Sequence, residues 1–145
     1  MERCGEVEEL TVALLRGLRA DDWVAIDRLV SDGPGALLVG NGPDDWYPGR
    51  MFAAHFEAVA AAHGGLPFEP GHPEAWADGP VAWVADRVTL RFPQARIPVR
   101  LTGVAVRTGV QWQFVQLHLS VAVPDEVLLS GDWSSLAFIR PLDRE

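Results

Sequence analysis

In the first part of the chain, apolar side chains recur every three or four residues. After His63 they alternate with polar ones, so a helical half precedes a stranded half. In EVEELTVALLRGLRA, Val7, Leu10, Leu14 and Leu18 share one helical face, and acids crowd the first turn, where the helix dipole favours them. Asp21 is placed to cap a second helix in DDWVAIDRLV, whose buried face is Trp23, Ile26 and Val30. Ser31 to Gly35 ends that helix, ALLVG (36–40) reads as a short strand, and NGPDDWYPG reads as a loop. A third helix is predicted from Arg50 to His63, with Phe52, His55, Phe56 and Val59 on one face and Gly64-Gly65 as its stop.

The stretch LPFEPGHPEAWADG is broken by prolines, which restricts it to an edge strand or irregular chain. PVAWVADRVTLRF, IPVRLTGVAVR and VQWQFVQLHLSVAV are predicted as three strands. Asp78-Gly79 and Thr108-Gly109 are turn signals, so these strands are expected to be antiparallel neighbours. Helices followed by a long meander predict an α+β fold, one curved antiparallel sheet wrapped over three N-terminal helices.

Composition narrows the partners more than it changes this picture. At 145 residues the chain is expected to form one domain. Its net charge of −8, with no basic cluster, argues against nucleic acid, which requires a positive footprint. The single cysteine, Cys4, excludes an internal disulfide and a Cys-cluster metal site. None of the four histidines has a close His/carboxylate spacing, and the loop acids Asp44-Asp45 do not make a cation site alone, so no metal and no cofactor is expected. No apolar run approaches the roughly 20 residues of a membrane span, and MERCGEVEEL lacks a signal-peptide core, so the expectation is a cytoplasmic protein with no membrane partner. The division expected is a domain over 1–123 and an apolar tail over 124–145. The tail carries Val127, Leu128, Leu129, Trp133, Leu136, Phe138 and Ile139, and is expected to dock on its own domain or on a partner.

Four features carry a family resemblance. They are the order helix, helix, strand, helix, meander; Trp46, Gly49 and Arg50 at the entry to the third helix; EAWADGPVAWVADR across the first long hairpin; and WQFVQLHLS in the last strand. With these the chain resembles the SnoaL-like branch of the nuclear transport factor 2-like (cystatin-like) superfamily. The resemblance implies a cone with a pocket between the helices and the concave face of the sheet, and many members are homodimers that meet through their sheets. The last strand also resembles that of the calcium/calmodulin-dependent kinase association domain in the frame Trp112, Gln113, Val115, His118, Ser120. That likeness implies Leu119 where the related domain has a pocket arginine.

Strand side chains alternate between faces, which sorts the residues. In the last strand Val115, Leu117, Leu119, Val121 and Val123 are wholly apolar and are expected to face the helices. Trp112, Phe114, Gln116, His118 and Ser120 then face out. Aligning the other strands with the family places Trp83, Arg87 and Leu101 inward, and Asp86, Arg100 and Thr102 outward with Gln116, His118 and Ser120 as the interface of a homodimer.

Three functions stay open. The first is binding of a small apolar or weakly anionic molecule in an aromatic-rich cavity walled by Trp23, Phe52, Phe56, Trp83, Leu101, Leu117 and Leu119, with Trp46 at its mouth and Arg87 or His55 as polar handle. The second is an isomerase, cyclase or hydrolase, with His118, Asp86 or His55 as acid/base, since a carboxylate can orient an imidazole. The third is a structural dimerisation module. The second is weakened because tyrosine-dependent relatives would need pocket tyrosines and Tyr47 stands alone in a loop, while Asp86 is expected outside.

Overall fold

In a computed structural model the described residues are 1–132 and Ser134. The elements run β1 (Glu2–Arg3), α1 (Gly5–Ala20), α2 (Trp23–Leu29), β2 (Leu37–Val39), β3 (Trp46–Pro48), α3 (Arg50–His63), β4 (Phe68–Glu69), β5 (Glu74–Asp78), β6 (Val81–Arg91), β7 (Arg96–Thr108), β8 (Gln111–Val121) and α4 (Asp125–Leu129). Eight strands form one sheet in the order β1-β5-β6-β7-β8-β2-β3, with β4 added to β6. The sheet is mixed and not purely antiparallel, because β2 runs parallel to β8 (Leu38 beside Leu117). β3, α3 and β4 to β7 intervene between these two strands, so no short turn constrains them to be antiparallel.

The helices form where the spacing predicts them, with one cap displaced. Asp22, not Asp21, accepts a hydrogen bond from the Ala25 amide at 3.1 Å, while Asp21 closes α1 in the left-handed region. Gly65 lets the chain leave α3: its φ is +99°, and a Cβ there would lie 2.3 Å from the Arg19 carbonyl oxygen. NGPDDWYPG is not all loop, since Trp46–Pro48 pairs with β2. The stretch with three prolines holds two strands, because each proline lies outside the paired residues of β4 and β5.

The core lies between the helices and one face of the sheet. Leu14, Leu15, Leu18, Ile26, Phe52, Leu101, Phe114 and Leu117 are each at most 1% exposed. Each such side chain contributes roughly 1.5–3 kcal/mol on leaving water. Leu117 and Leu119 face inward as expected, but Trp112 and Phe114 do so too. Val104 pairs with Gln116 and Ala105 with Phe114, so Val115 is an extra residue, a β-bulge that reverses the alternation halfway along β8.

The expected faces of β6 are also reversed. Ala82, Val84, Asp86 and Val88 are buried, and Trp83 and Arg87 point outward. α1 packs on β4, β5, β6 and β8, and a helix lying close to a sheet needs short side chains beneath it. Ala75, Ala82 and Val84 supply them, whereas the Trp76–Trp83 cross-strand pair fits only on the open side. α4 ends with Leu128 and Leu129 exposed; Trp133, Leu136, Phe138 and Ile139 of the expected docking tail lie outside the described residues.

Candidate functional site

The register of the strands writes the outer face of the sheet as rows. One row is Glu74, Ala85, Thr102, His118, Val39 and Trp46, from β5 across to β3. The next is Trp76, Trp83, Val104, Gln116, Leu37 and Pro48. On the other side of the first row lies a third, Arg87, Arg100 and Ser120. The first row has its smallest side chains in the middle, Ala85 and Thr102, beside the two tryptophans. Large next to small leaves a hollow of about 450 Å³, lined by Glu74, Trp76, Trp83, Ala85, Thr102, Val104, Gln116 and His118 together with Val84 and Gly103. With neighbouring strands about 4.8 Å apart, Glu74 and His118 stand at its two ends about 14 Å from each other.

The chemistry of the hollow is mixed. Trp76 is 38% and Trp83 40% exposed, so both rings offer a face to an occupant. The Arg3 guanidinium lies 5.8 Å from the centroid of Trp76 and is held there by Glu8. Thr102, Gln116 and His118 add hydroxyl, amide and imidazole groups along the β7–β8 side. Trp46 belongs to the same face at 63% exposed.

Asp86 and His118 do not meet: they project from opposite faces, since Asp86 pairs with Leu101 and His118 with Thr102. Asp86 is 5% exposed on the core side. Its Oδ2 accepts a hydrogen bond from the Gly71 amide at 3.1 Å, while Oδ1 is buried without a partner. Between β4 and β5 the chain leaves the ladder, and Asp86 ties that irregular crossing to β6. The approach is close: a Cβ on Gly71 would lie 2.2 Å from the Arg87 carbonyl oxygen and 2.7 Å from Asp86 Oδ1. Burial pushes the Asp86 carboxyl above the usual aspartate range, against the Gly71 hydrogen bond and the nearby backbone N–H groups of Arg87 and His72, which pull it down without bonding Oδ1.

His55 lies in a second cluster. Its ring stacks on Tyr47 at 3.8 Å between centroids and 13° between planes. Tyr47 donates its hydroxyl to Asp45 Oδ1 at 2.9 Å, and Asp45 Oδ2 accepts from the Gly42 amide at 2.7 Å. Burial holds the His55 imidazole below the usual histidine range, with Asp45 pulling the other way. The hydrogen bond to Asp45 raises the Tyr47 phenol. The geometry fastens the β2–β3 turn onto α3. Sequence reasoning placed Tyr47 in a loop and missed this stack, because a strand of three residues between Asp45 and Gly49 is too short to show alternation.

The other expected positions divide clearly. Phe52, Phe56, Leu101, Leu117 and Leu119 are constituents of the packed core, and Trp23 packs partly buried against it. Arg100, Thr102, Gln116, His118 and Ser120 lie on the outer face, joined there by Trp83 and Arg87 and without Asp86. Among the described residues no group of three or more His, Cys, Asp or Glu could hold a metal ion, and no helix is long and apolar enough to cross a membrane.

Comparison with solved structures places this architecture. An NTF2-like protein of unknown function from Pseudomonas putida KT2440 superposes with a TM-score of 0.72 at 18% identity, covering 97% of this chain and 94% of that one. An uncharacterised protein with a cystatin-like fold from Caulobacter vibrioides gives 0.68 at 18% identity, over 90% and 95%. A protein from Streptomyces avermitilis, provisionally described as a dehydratase of the NTF2-like family, gives 0.69 at 15% identity, over 83% and 96%. At such identities the likeness concerns the fold. No curated protein matches the sequence. The family model of the SnoaL-like domain matches residues 7–124, and the chain belongs to that family.

Proposed function

We propose that this SnoaL-like domain binds a small, largely apolar molecule in the hollow on the outer face of its sheet, and that binding rather than catalysis is its role. One observation carries the reading: a hollow of about 450 Å³, within the usual size of ligand sites, has two half-exposed tryptophans as walls and polar groups only at its ends and along one side. The half-exposed ring of Trp83, beside Trp76 with the Arg3 guanidinium over its ring, favours a flat occupant. The acid/base candidates do not assemble into a pair, because Asp86 and His118 are separated by the sheet and His55 is engaged in stacking.

Calorimetric titration with a neutral flat probe, naphthalene-2-carboxamide, tests this. Saturable binding is expected, weakened about tenfold or more, equivalent to about 1.4 kcal/mol, when Ala85→Leu fills the floor. Equal affinity for parent and variant would place the site elsewhere.

A second reading rests on the apolar positions that continue beyond the hollow, Val39 and Trp46 at one end and Val81 at the other. Such a face fits a second copy of the chain, in an isologous contact with the tryptophans at its centre. Light scattering decides it: a mass twice the 15.8 kDa of the chain that falls to one copy in Trp83→Glu supports the homodimer. A single-copy mass at high micromolar concentration removes it.

A further inference from the structure

We propose that Arg87 and Arg100 form an anion subsite at the rim of the hollow, so that its ligand is a flat apolar body ending in a carboxylate or phosphate. This rests on the hollow as a ligand site. Arg87 and Arg100 are direct cross-strand partners, both exposed on the outer face. Like charges in that relation repel each other. A chain with 20 acids to 12 bases has carboxylates to spare, yet none of the ion pairs among the described residues involves either arginine. Glu69, on the strand beyond Arg87, bonds Arg91 at 2.8 Å, and Glu74 faces the hollow from β5. Glu74 stands diagonally across from Arg87, yet among the described residues no carboxylate lies within ion-pair distance of either arginine, and the pair is a local positive charge.

On the β7–β8 side its neighbours can donate hydrogen bonds. Ser120 stands opposite Arg100, and His118 and Thr102 lie one row nearer the tryptophans. Guanidinium groups fork two parallel hydrogen bonds onto a carboxylate or phosphate, and two adjacent forks with a hydroxyl beside them suit three oxygens as well as two. Ala85 and Trp83 precede Arg87 by two and four residues on the same face of β6, so the anionic end and the aromatic wall lie on one line. A carboxylate and a phosphate present the same chemistry to this rim; the aromatic body selects what enters.

The test compares naphthalene-2-carboxylate with naphthalene-2-carboxamide on the parent and on the double variant Arg87→Met, Arg100→Met, which keeps the apolar stems and stays on the exposed face. The carboxylate is expected to bind the parent about tenfold more tightly than the amide, and the preference is expected to vanish in the variant while amide affinity holds. A thermal-shift series with inorganic phosphate, balanced by potassium chloride at constant ionic strength, reads the rim independently of the hollow: stabilisation of the parent and none of the variant is expected. Absence of carboxylate preference together with no phosphate stabilisation of the parent overturns the subsite, even where the amide binds. Failure of both naphthalene probes with an arginine-dependent phosphate shift instead retains the subsite and removes the hollow. A double variant that loses its dimeric mass while phosphate has no effect on the parent assigns the counter-charge to a carboxylate of a second copy, which also overturns the proposal.

Discussion

Asp86 is the residue whose surroundings conflict most with its charge. One oxygen holds the Gly71 amide and the other is buried without a partner, so the carboxyl is easier to bury as the neutral acid. A carboxyl whose folded-state value is raised costs stability as pH rises through that value, and the cost disappears below the ordinary carboxylate range, where folded and unfolded chains are both protonated. Asp86→Asn keeps an acceptor for Gly71 and removes the ionisation. The variant is expected to match or exceed the parent in melting temperature at pH 8, with the advantage shrinking toward pH 4. A parent that gains on the variant as pH rises would contradict this assignment. Nothing in VADRV marks this aspartate as buried; the decisive fact is its pairing with the Gly71 crossing, a contact fifteen residues away. Trp83 was misplaced because alignment with the family set the face of β6, while the small residues around it, Ala82 and Val84, are the ones that leave room for α1.

At the scale of elements, Glu8 joins three of them. On α1, its Oε1 accepts from Arg3 Nε on β1 and from the Ala75 amide on β5, the latter at 3.1 Å. The Ala75 backbone donor and then Arg3 hold the Glu8 carboxyl below the usual glutamate range. Lowered values act in the opposite sense to Asp86: the contribution is present above the unfolded value and lost as pH falls through the folded one. Glu8→Ala is expected to destabilise by about 1 kcal/mol at neutral pH, discounted from a buried charged hydrogen bond because the pair is partly exposed, and to cost little at pH 3. Denaturant titrations at the two pH values measure it; an equal loss at both would mean that packing, not charge, holds the junction. The elements themselves were legible, since helical and alternating spacings are local properties. β3 was not, being three residues hidden among Gly, Asn, Asp and Pro. The halves of β8 illustrate the limit: alternation assigned Leu117 and Leu119 correctly, then failed at Phe114, because a bulge is set by the partner strand and leaves no mark in QWQFVQLHLSV.

For the whole molecule, the order of elements together with Trp46, Gly49 and Arg50, the first hairpin and the last strand was enough to reach the superfamily, because helices and a meander with short turns can close on one another in few ways. The parallel β2–β8 pair was beyond that reasoning, as parallel partners are distant in sequence. The candidate site was legible in part: Thr102, Gln116 and His118 were assigned to the outer face, while Trp83 and Arg87, which give that face its aromatic and positive character, were assigned to the wrong side. The path of the sheet ends in two very short strands, β1 with two residues and β3 with three. Each offers little unpaired backbone to a passing chain, so fibre-like growth by lateral strand addition is discouraged at both margins. β1 is the thinner guard, because behind it lies the five-residue ladder of β5. Removing residues 1–3 is expected to raise the aggregation rate at temperatures where the parent stays clear, followed by light scattering and thioflavin fluorescence, with an unchanged rate counting against the idea. Two residues at the start of the chain would then act less as a strand than as a cover that keeps a longer edge from seeding assemblies.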